Sequence, residues 1–469
     1  MRLASSEPNS TAPSLSPPRR ICQSWRRWSE GRPDKSGGLK CRAAGLEAGL
    51  AGKQRHKPTA DAATTFAVVL GNALEWYEVV VYGYLAAVIA RLFFPAIDPG
   101  TSLLLTFASF GLTYLSRPLG ALLLGLYADR FGRKTALQLS IWLMVGASAV
   151  IALTPTYQTI GIAAPVIVVV ARLVQGFSAG GEFGTATAYL AEQDASRRGY
   201  LASWQFASQG LTALLATGSA AALTTFLSSD AIEAFGWRLP FLFGLLLYPI
   251  GIYIRAHAAE TADFSAARER PERLSLNGHW RALATAVGLI VLGTVAVYTI
   301  IFLPSYAVRS LHLPASTGFL AGIVTGVLQL ALVPVFGALS DRIGRTPAPM
   351  TAALVMLLGS WPALTWLNAA PSFERLFVLQ ALLGLSIAAY LGSMPALLAE
   401  LFPVRARSAG LSLSYAVGVA VFGGIAPFVH AWLIMETGDP AAPSFYLVAA
   451  AIVSIAALLA ARRVRTPAG

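Results

Sequence analysis

Two glutamates, Glu75 and Glu78, stand in the middle of an otherwise apolar stretch of the chain. The stretch, residues 66–90, reads FAVVLGNALEWYEVVVYGYLAAVIA and is long enough to cross a bilayer, for which a helix needs about 20 apolar residues. A charged side chain at that depth costs roughly 2.5–3.5 kcal/mol on insertion scales, so an ionisable residue found there usually serves a function. The alternative is a pair of neutral carboxyl groups that only pack, although apolar side chains would pack at lower cost. We therefore expect these glutamates to bind and release a proton.

Further polar side chains are placed where they can share a cavity with the two glutamates. Arg117 and Arg172 fall in the middle third of two other apolar segments, at about the same depth. Opposite charges at one depth can pair, which lowers the cost of burial and forms a network that can switch. One buried pair could be structural, but two carboxylates with two arginines favour transport. The predicted proton-coupling residues are Glu75, Glu78 and Glu182, and the predicted substrate-binding residues are Arg117, Arg172, Gln175 and, on the helical face of the glutamates, Asn72 and Tyr82.

The composition places the chain in a membrane. It has 469 residues, of which 55% are hydrophobic and 12% are charged, and its mean hydropathy is +0.61. A soluble protein carries about 25% charged residues. The two cysteines, Cys22 and Cys41, precede the first apolar segment, and this count predicts no disulfide framework, metal cluster or cysteine nucleophile.

The sequence also argues against an enzyme and against a nucleic-acid partner. It has no nucleophile–histidine pair, no phosphate-binding loop and no sizeable soluble domain, so we expect no catalytic site, no metal and no cofactor other than the proton gradient. Of the net charge of +12, +7 comes from residues 1–65, which hold twelve basic and five acidic residues. The remaining basic surplus lies in short loops, as a membrane orientation signal requires. No obligatory protein partner is implied.

Twelve apolar segments predict an all-α membrane protein, because lipid leaves no water to satisfy the edge of an open sheet. The expected spans lie near 66–90, 102–125, 135–153, 160–188, 201–226, 238–255, 284–308, 315–338, 350–369, 376–398, 409–434 and 444–461. The predicted organisation is a disordered basic tail (1–65), a six-helix bundle (66–255), a loop between the bundles (256–283), a second six-helix bundle (284–461) and a short tail (462–469). The first tail also resembles an organellar transit peptide in composition, and an over-extended translation start is a third interpretation. His430 is the one ionisable residue within a span of the second half, and we expect it at the interface.

The distribution of Lys and Arg predicts the orientation. From Phe66 onward, one set of loops and the C-terminal tail hold seventeen basic residues, whereas the opposite loops hold four. Basic loops stay in the cytoplasm. We therefore expect both termini and the 256–283 loop to be cytoplasmic, with the protein in the inner membrane of the cell.

A repeated motif relates the two halves. Gly125–Lys134 reads GLYADRFGRK and Gly337–Thr346 reads GALSDRIGRT, 212 residues later. Similarly, YLAE ends at Glu192 and LLAE ends at Glu400, 208 residues later. Nearly equal offsets indicate a duplicated six-helix unit, which is common in transporters whose halves rock about a shared cavity.

The charged residues of these loops are predicted latches. A carboxylate at a helix end can cap backbone N–H groups or pair with an arginine across the boundary between the halves. Glu192 and Glu400 are natural partners for the arginines of the repeated motif, and such pairs can hold one face closed. The alternative is that these charges only set the topology. The predicted gating residues are Gly125, Asp129, Arg130, Gly132, Arg133, Asp341, Arg342, Arg345, Glu192 and Glu400.

The motifs resemble those of a known family. GxxxDRxGRK is similar to the signature of the major facilitator superfamily, and RLVQG at Arg172–Gly176 resembles its fourth-span motif in proton-coupled members. Four further stretches resemble the metabolite:proton symporter family across nearly all of residues 66–461: GNxxEWYE in the first span, SRPLG at Ser116–Gly120, RLVQGFSAGGEFG at Arg172–Gly184 and WRLPF at Trp237–Phe241. PTYQTIG, SWPAL, APSF and AVFGG most resemble citrate- and tricarballylate-type members. One departure is Glu78, because the family usually has Asp there; the longer arm alters the coupling geometry.

The resemblance implies a major facilitator fold of twelve helices and proton-coupled symport of a small organic carboxylate by alternating access. Citrate, tricarballylate or a related di- or tricarboxylate is the implied substrate. A transporter of a zwitterionic osmolyte such as a betaine, or an exporter, is the alternative on the same fold, and a membrane enzyme or sensor is a third class. The implied partners are the organic anion, the proton and the lipid bilayer.

Overall fold

The computed structural model describes residues 62–96, 98–131, 133–180, 182–245, 279–403 and 407–464, and the regular elements in these ranges are helices. The helices of the first half are α1 Ala62–Tyr84, α2 Ala86–Phe93, α3 Pro99–Leu115, α4 Arg117–Phe131, α5 Arg133–Leu153, α6 Ala163–Ser178, α7 Glu182–Glu192, α8 Arg198–Phe226 and α9, residues 238–245. Those of the second half are α10 Trp280–Arg309, α11 Ala315–Ile343, α12 Pro347–Ala369, α13 Phe373–Glu400, α14 Arg407–Gly418, α15 Ala426–Thr437 and α16 Pro443–Val464. The N-terminal tail up to residue 61 and most of the 256–283 loop lie outside the described residues, so the predicted domain boundaries stay predictions.

The second half contains six helices of membrane-spanning length and apolarity. They are Trp280–Arg309, Ser316–Ile343, Pro347–Ala369, Phe373–Glu400, Ala409–Thr437 and Pro443–Arg463. In the first half, one bent pair of helices passes the same test, and Leu139–Leu153 and Ala163–Ser178 are shorter apolar helices. Grouped at its breaks, the described part of the chain forms five helical segments and the beginning of a sixth, α9, before residue 246, and six spans after residue 278. This is the all-α, twelve-helix membrane fold that the sequence predicts.

The first-half spans are interrupted where continuous helices were expected. The first span bends by 73° between Tyr84 and Ala86. The second breaks at Ser116, two residues before Pro118, whose ring displaces the carbonyl four residues earlier and which lacks an N–H. The fourth ends one helix at Ser178 and begins the next at Glu182, after a glycine pair that favours irregular backbone. The breaks leave polar side chains in the middle of the membrane without a regular helix around them.

Two glycines bring α6 against the second span. A Cβ atom added at Gly176 would overlap the backbone carbonyl of Thr113, and one added at Gly180 would overlap that of Arg117. Small residues at four-residue spacing permit this approach of two backbones. The close contact fixes α6, which carries Arg172, beside α4, which begins at Arg117.

The two halves of the chain pack against each other along α8 and α11. A Cβ atom at Gly210 of α8 would lie 2.5 Å from the backbone nitrogen of Leu330 and 2.9 Å from the carbonyl oxygen of Gly326 in α11. Near the ends of the same helices, one at Gly337 would lie 2.7 Å from the carbonyl oxygen of Gly199. The glycines therefore hold one helix of each half in backbone contact.

Candidate functional site

Arg172 is fully buried in α6 and is held by neutral groups of the first half. Its Nη1 donates to Gln175 Oε1 at 2.8 Å, and its Nη2 donates to the backbone carbonyl of Val79 in α1 at 3.3 Å. Its Cζ lies 4.3 Å from the centroid of the Tyr82 ring, a cation–π contact worth about 2 kcal/mol when desolvated. Gln175 extends the network, since its Nε2 donates to Ser148 Oγ at 2.8 Å. Arg172 thus ties α1, α5 and α6 together.

The carboxyl group of Glu78 is fully buried beside this network. The Ser148 hydroxyl and the Arg172 guanidinium interact with it. Neither carboxyl oxygen, however, makes a hydrogen bond of normal geometry to a described residue. A buried carboxylate without hydrogen bonds is costly, and a bound proton removes its charge. The arrangement suits a group that gains and loses a proton.

Gly244 of α9 makes the room that the Glu78 carboxyl group occupies. A Cβ atom added at Gly244 would overlap Oε1 of Glu78 and would lie 3.1 Å from Cδ1 of Tyr77. Sequence reasoning missed Gly244; its position three residues after the WRLPF motif was the one signal that could have found it. The carboxyl group of Glu78 therefore faces α9.

Arg117 differs from Arg172 because it has no polar partner. It begins α4 and is only 4% exposed. Its Cζ lies 4.2 Å from the centroid of the Trp76 ring and 4.6 Å from that of Tyr114. Among the described residues, its guanidinium makes no hydrogen bond and no ion pair, and its Nε is buried without a partner. Cation–π contacts offset part of the desolvation but do not use the N–H donors, which no described residue accepts.

A cavity lies between the two halves and is lined by residues of both. Its described lining side chains are uncharged: aromatic rings and amides face it together with aliphatic groups, and the residues with polar groups or large rings are Trp76, Tyr84, Phe206, Gln209, Thr212, Thr294, Tyr298, Gln329 and Tyr415. Arg117 lies against Trp76 and interacts electrostatically with the lining hydroxyls of Tyr298 and Tyr415. Arg117 therefore adjoins the side chains that line the cavity without being one of them.

Aromatic rings connect the cavity to the Arg172 network. Phe110 lies 5.3 Å from Cζ of Arg172, and its ring centroid lies 5.4 Å from that of Tyr114, which contacts Arg117. Tyr298 of the cavity wall lies 5.2 Å from Tyr114 and 5.8 Å from Phe110. The two arginines therefore contact one aromatic cluster from different sides.

The other predicted substrate-binding residues lie in helix contacts. Asn72 Nδ2 donates to Ser208 Oγ of α8 at 2.5 Å, and the Tyr82 hydroxyl is 2.6 Å from Ser109 Oγ of α3. The structure places neither of them, nor Arg172 or Gln175, on the cavity wall. The side chains of Glu75 and Glu182 lie outside the described part of the structure, so their roles stay predictions.

Asp341 joins the halves at the end of the bundle that carries the repeated motif, hereafter the motif end. Its Oδ1 and Oδ2 accept the backbone N–H groups of Gly199 at 2.8 Å and Tyr200 at 3.0 Å, at the start of α8. Its Oδ1 also accepts from Arg345 Nη1 at 2.6 Å. A carboxylate at a helix N-terminus is stabilised by the unpaired N–H groups and the helix dipole. Asp341 of the second half thus caps a helix of the first.

Two ion pairs accompany this cap at the motif end. Arg345 Nε donates to Glu400 Oε1 at 2.9 Å, within the second half, and Arg407 Nη1 donates to Glu192 Oε1 at 2.6 Å, between the halves. Partial burial lowers the pKa of Arg345, but the hydrogen bonds to Glu400 and Asp341 outweigh it and raise that pKa above its usual value.

Glu192 pairs with Arg407, a residue that the sequence analysis did not single out. Arg407 begins α14, which packs against α7 where Glu192 ends that helix, and the expected pairing of Glu192 with Arg130 or Arg133 stays a prediction. Arg342 is exposed at the end of α11. Residue 132 and the side chains of Gly125, Asp129, Arg130 and Arg133 lie outside the described residues, and their gating roles stay predictions.

The halves also meet at the opposite end of the bundle. Arg309 Nη1, at the end of α10, donates to the backbone carbonyl of Pro99 at 2.6 Å, at the start of α3. Below this contact, the rings of Phe107 and Phe302 pack with centroids 5.8 Å apart. Contacts between the halves are therefore present on both sides of the cavity.

His430 is buried, contrary to the interfacial position expected from the sequence. It is 0% exposed, its Nε2 lies 2.8 Å from Thr299 Oγ1, and its ring packs against Phe302 and Tyr446. His430 lies in α15, which follows a π-helix at Val419–Gly423 in the eleventh span.

Comparison with known proteins identifies the relatives of this chain. The model of the Major Facilitator Superfamily matches residues 79–370 and 320–469. A citrate-proton symporter of Salmonella typhi is 37% identical over 413 residues, covering 86% of this chain and 95% of the relative. One of Klebsiella pneumoniae is 39% identical over 398 residues, covering 83% and 89%. A glycine betaine/proline/ectoine/pipecolic acid transporter of Dickeya dadantii is 32% identical over 406 residues, covering 83% and 81%.

A solved structure has the same fold. The crystal structure of a D-xylose-proton symporter superimposes with a TM-score of 0.67 at 17% sequence identity, covering 86% of this chain and 98% of that one. At this level of identity the similarity concerns the arrangement of the helices alone.

Proposed function

Since the chain belongs to the major facilitator superfamily of multi-pass membrane transporters, we propose that it is a symporter that carries a small organic carboxylate together with protons. The family and the relatives make it a proton-coupled transporter and not an enzyme. The substrate class is the part that we propose. Di- and tricarboxylates such as citrate and tricarballylate are the first candidates, because the relatives of 37% and 39% identity are citrate-proton symporters.

The observation that carries this proposal is that Arg117 has no hydrogen-bonding or ionic partner among the described residues. A buried guanidinium without a hydrogen-bonded anion is costly unless a ligand supplies one. Arg117 contacts the ring of Trp76, which lines the cavity between the halves, whereas Arg172 is held by Gln175 and Val79. A guanidinium binds a carboxylate through two parallel N–H···O bonds. Arg117 is therefore the anion-binding residue of the proposal.

Glu78 is the proposed proton carrier. Its carboxyl group lies outside the cavity wall, and the Arg172–Gln175–Ser148 network adjoins it. The aromatic cluster of Phe110, Tyr114 and Tyr298 contacts both arginines. A substrate that moves Arg117 can therefore change the packing beside Arg172, and so the surroundings of Glu78.

We further propose that the motif end faces the cytoplasm of a cell whose inner membrane holds the protein. The excess of seventeen basic residues over four supports this orientation. Asp341 and the Arg407–Glu192 pair then close the cytoplasmic side, and their opening releases substrate there.

A zwitterionic osmolyte is the second candidate substrate. Trp76, Tyr298 and Tyr415 line the cavity next to Arg117, and aromatic faces bind quaternary ammonium groups. Such a ligand would place its carboxylate on Arg117 and its cation on the rings. The betaine-transporting relative at 32% identity fits this alternative.

Uptake into proteoliposomes separates these substrates. Labelled citrate, tricarballylate, succinate and glycine betaine are each offered with an inward proton gradient and without one. We expect gradient-driven accumulation of a carboxylic acid and its collapse with a protonophore. If betaine alone accumulates, the substrate is a zwitterion and not a di- or tricarboxylate. Uptake that does not depend on the proton gradient would contradict symport.

A further inference from the structure

The cavity offers more neutral hydrogen-bonding groups than charges. Gln209 of α8 and Gln329 of α11 face it from the two halves, and the hydroxyl of Tyr415 accepts from Gln209 Nε2 at 3.3 Å. Gln329 as a residue is 2% exposed, and its amide makes no hydrogen bond to a described residue. An amide that faces the cavity in this way can both donate a hydrogen bond to a ligand and accept one from it.

The two glutamines lie close together on the wall that α8 and α11 form. A Cβ atom at Gly210, the residue after Gln209, would lie 2.9 Å from Cβ of Gln329. Gln209 is also linked to Arg117 through Tyr415, whose hydroxyl interacts with both. One small ligand can therefore contact Arg117 at one end and the amides at the other.

The charges of the site limit what such a ligand carries. The titratable groups among the described lining residues are Tyr84 of α1, Tyr298 of α10 and Tyr415 of α14; α8, α11 and α13 contribute none. Arg117 is the cation that adjoins the wall, because Arg172 already donates to Gln175 and Val79. A second carboxylate on the ligand would lie in a buried site opposite neutral amides. An uncompensated buried charge is far more costly than a neutral carboxylic acid that is hydrogen-bonded.

A carboxylic acid group matches a glutamine amide. Its O–H donates to the amide oxygen and its carbonyl accepts from the amide N–H, so both partners are satisfied. An ionised carboxylate can only accept, and it leaves the amide oxygen unpaired. The glutamines therefore favour the protonated form at the end of the ligand that is away from Arg117.

We propose that the protein binds its substrate as the monoanion, with one carboxylate on Arg117 and the remaining carboxyl groups protonated and hydrogen-bonded to Gln329 and Gln209. This inference rests on the proposed function, and it adds the ionisation state of the substrate. Each protonated carboxyl group carries one proton across the membrane on the substrate itself. These protons add to the one assigned to Glu78.

Binding of two probes as a function of pH tests this inference. Succinate loses its second proton as the pH rises, whereas succinamate, its half-amide, remains a monoanion. Dissociation constants are measured by calorimetry on the purified full chain in detergent at several pH values. The ratio of the two constants removes any effect of pH on the protein, including that of Glu78. Above the last pKa of free succinate, the dissociation constant of succinate divided by that of succinamate should rise about tenfold per pH unit. The reason is that the succinate monoanion, the form that binds, becomes about tenfold rarer with each unit.

Two variants connect the effect to the amide. Gln329→Leu removes the amide at similar volume and should weaken binding of both probes about tenfold, the loss of two hydrogen bonds. Thr224→Val is the matched control outside the cavity, because the Thr224 hydroxyl donates to backbone carbonyls of its own helix, α8, and this variant should bind as wild type does. A ratio that stays flat or falls with rising pH would show that the dianion binds. Equal affinities of Gln329→Leu and wild type for the probes would show that the Gln329 amide does not bind the substrate. If neither acid binds at any pH, the carboxylate assignment itself fails, and this inference with it.

Discussion

The substitution Arg117→Lys tests whether the guanidinium group of Arg117 binds the substrate anion. The substitution keeps the positive charge but replaces a planar fork of donors with a point charge. Arg117 has no hydrogen bond to a described residue, so its donors are available to the substrate, and the lysine would lose one of two parallel bonds to a carboxylate. A hydrogen bond to a charged group contributes about 1.5–3 kcal/mol. A loss of about 2 kcal/mol corresponds to an affinity about 30-fold lower.

The assay is equilibrium binding of the best-transported acid to purified protein, combined with exchange in proteoliposomes. Arg172→Lys is the matched control, since the same chemical change there removes bonds to Gln175 and Val79 and leaves the cavity wall unaltered. Thermal unfolding and size-exclusion profiles show whether each variant is folded. Wild-type affinity in Arg117→Lys, or equal losses of affinity in the two variants, would refute the assignment of the anion to Arg117.

Three further substitutions or deletions probe the coupling, the latch and the tail. Gly244→Ala should uncouple uptake from the proton gradient, because its methyl group would occupy the place of the Glu78 carboxyl group; gradient-driven accumulation equal to wild type would contradict this. Asp341→Asn should change the rate of substrate exchange across the membrane several-fold and leave the equilibrium affinity for substrate nearly unchanged, since the residue caps α8 far from the cavity. A collapse of the affinity at an unchanged exchange rate would show that Asp341 is not a latch. A chain that starts near Ala60 should transport normally, because the composition before it cannot bury enough apolar surface to fold; lost uptake at equal membrane abundance would contradict that.

Apolar length and the duplicated motif were sufficient to predict the fold. Lipid permits few solutions for a chain of twelve apolar segments, so each segment becomes a helix. The breaks at Ser116 and before Glu182 were not predicted, although Pro118 and Gly180 are visible in the sequence. Hydropathy averages over a window and does not register where a single residue disrupts the backbone.

The candidate site was predicted in its residue types but not in its geometry. Depth alone makes Arg117 and Arg172 equivalent, whereas the structure gives one of them amide and carbonyl partners and the other only aromatic faces. Gly244 has no side chain that a chemical argument could single out, and its importance comes from the atom it faces. Gln329 was not singled out from the sequence, and its position in the cavity lining distinguishes it. These differences depend on contacts between segments that are distant in the sequence. The spacing of residues along one helix does not predict such contacts.

The most direct test of proton coupling is pH-gradient-driven uptake by Glu78→Gln in proteoliposomes, measured beside exchange of labelled for unlabelled substrate. The amide mimics the permanently protonated carboxyl group, so the variant can bring substrate across in either direction but cannot release the proton. We predict that exchange persists while accumulation against a gradient fails. Accumulation at the wild-type level in Glu78→Gln would show that the proton is carried elsewhere.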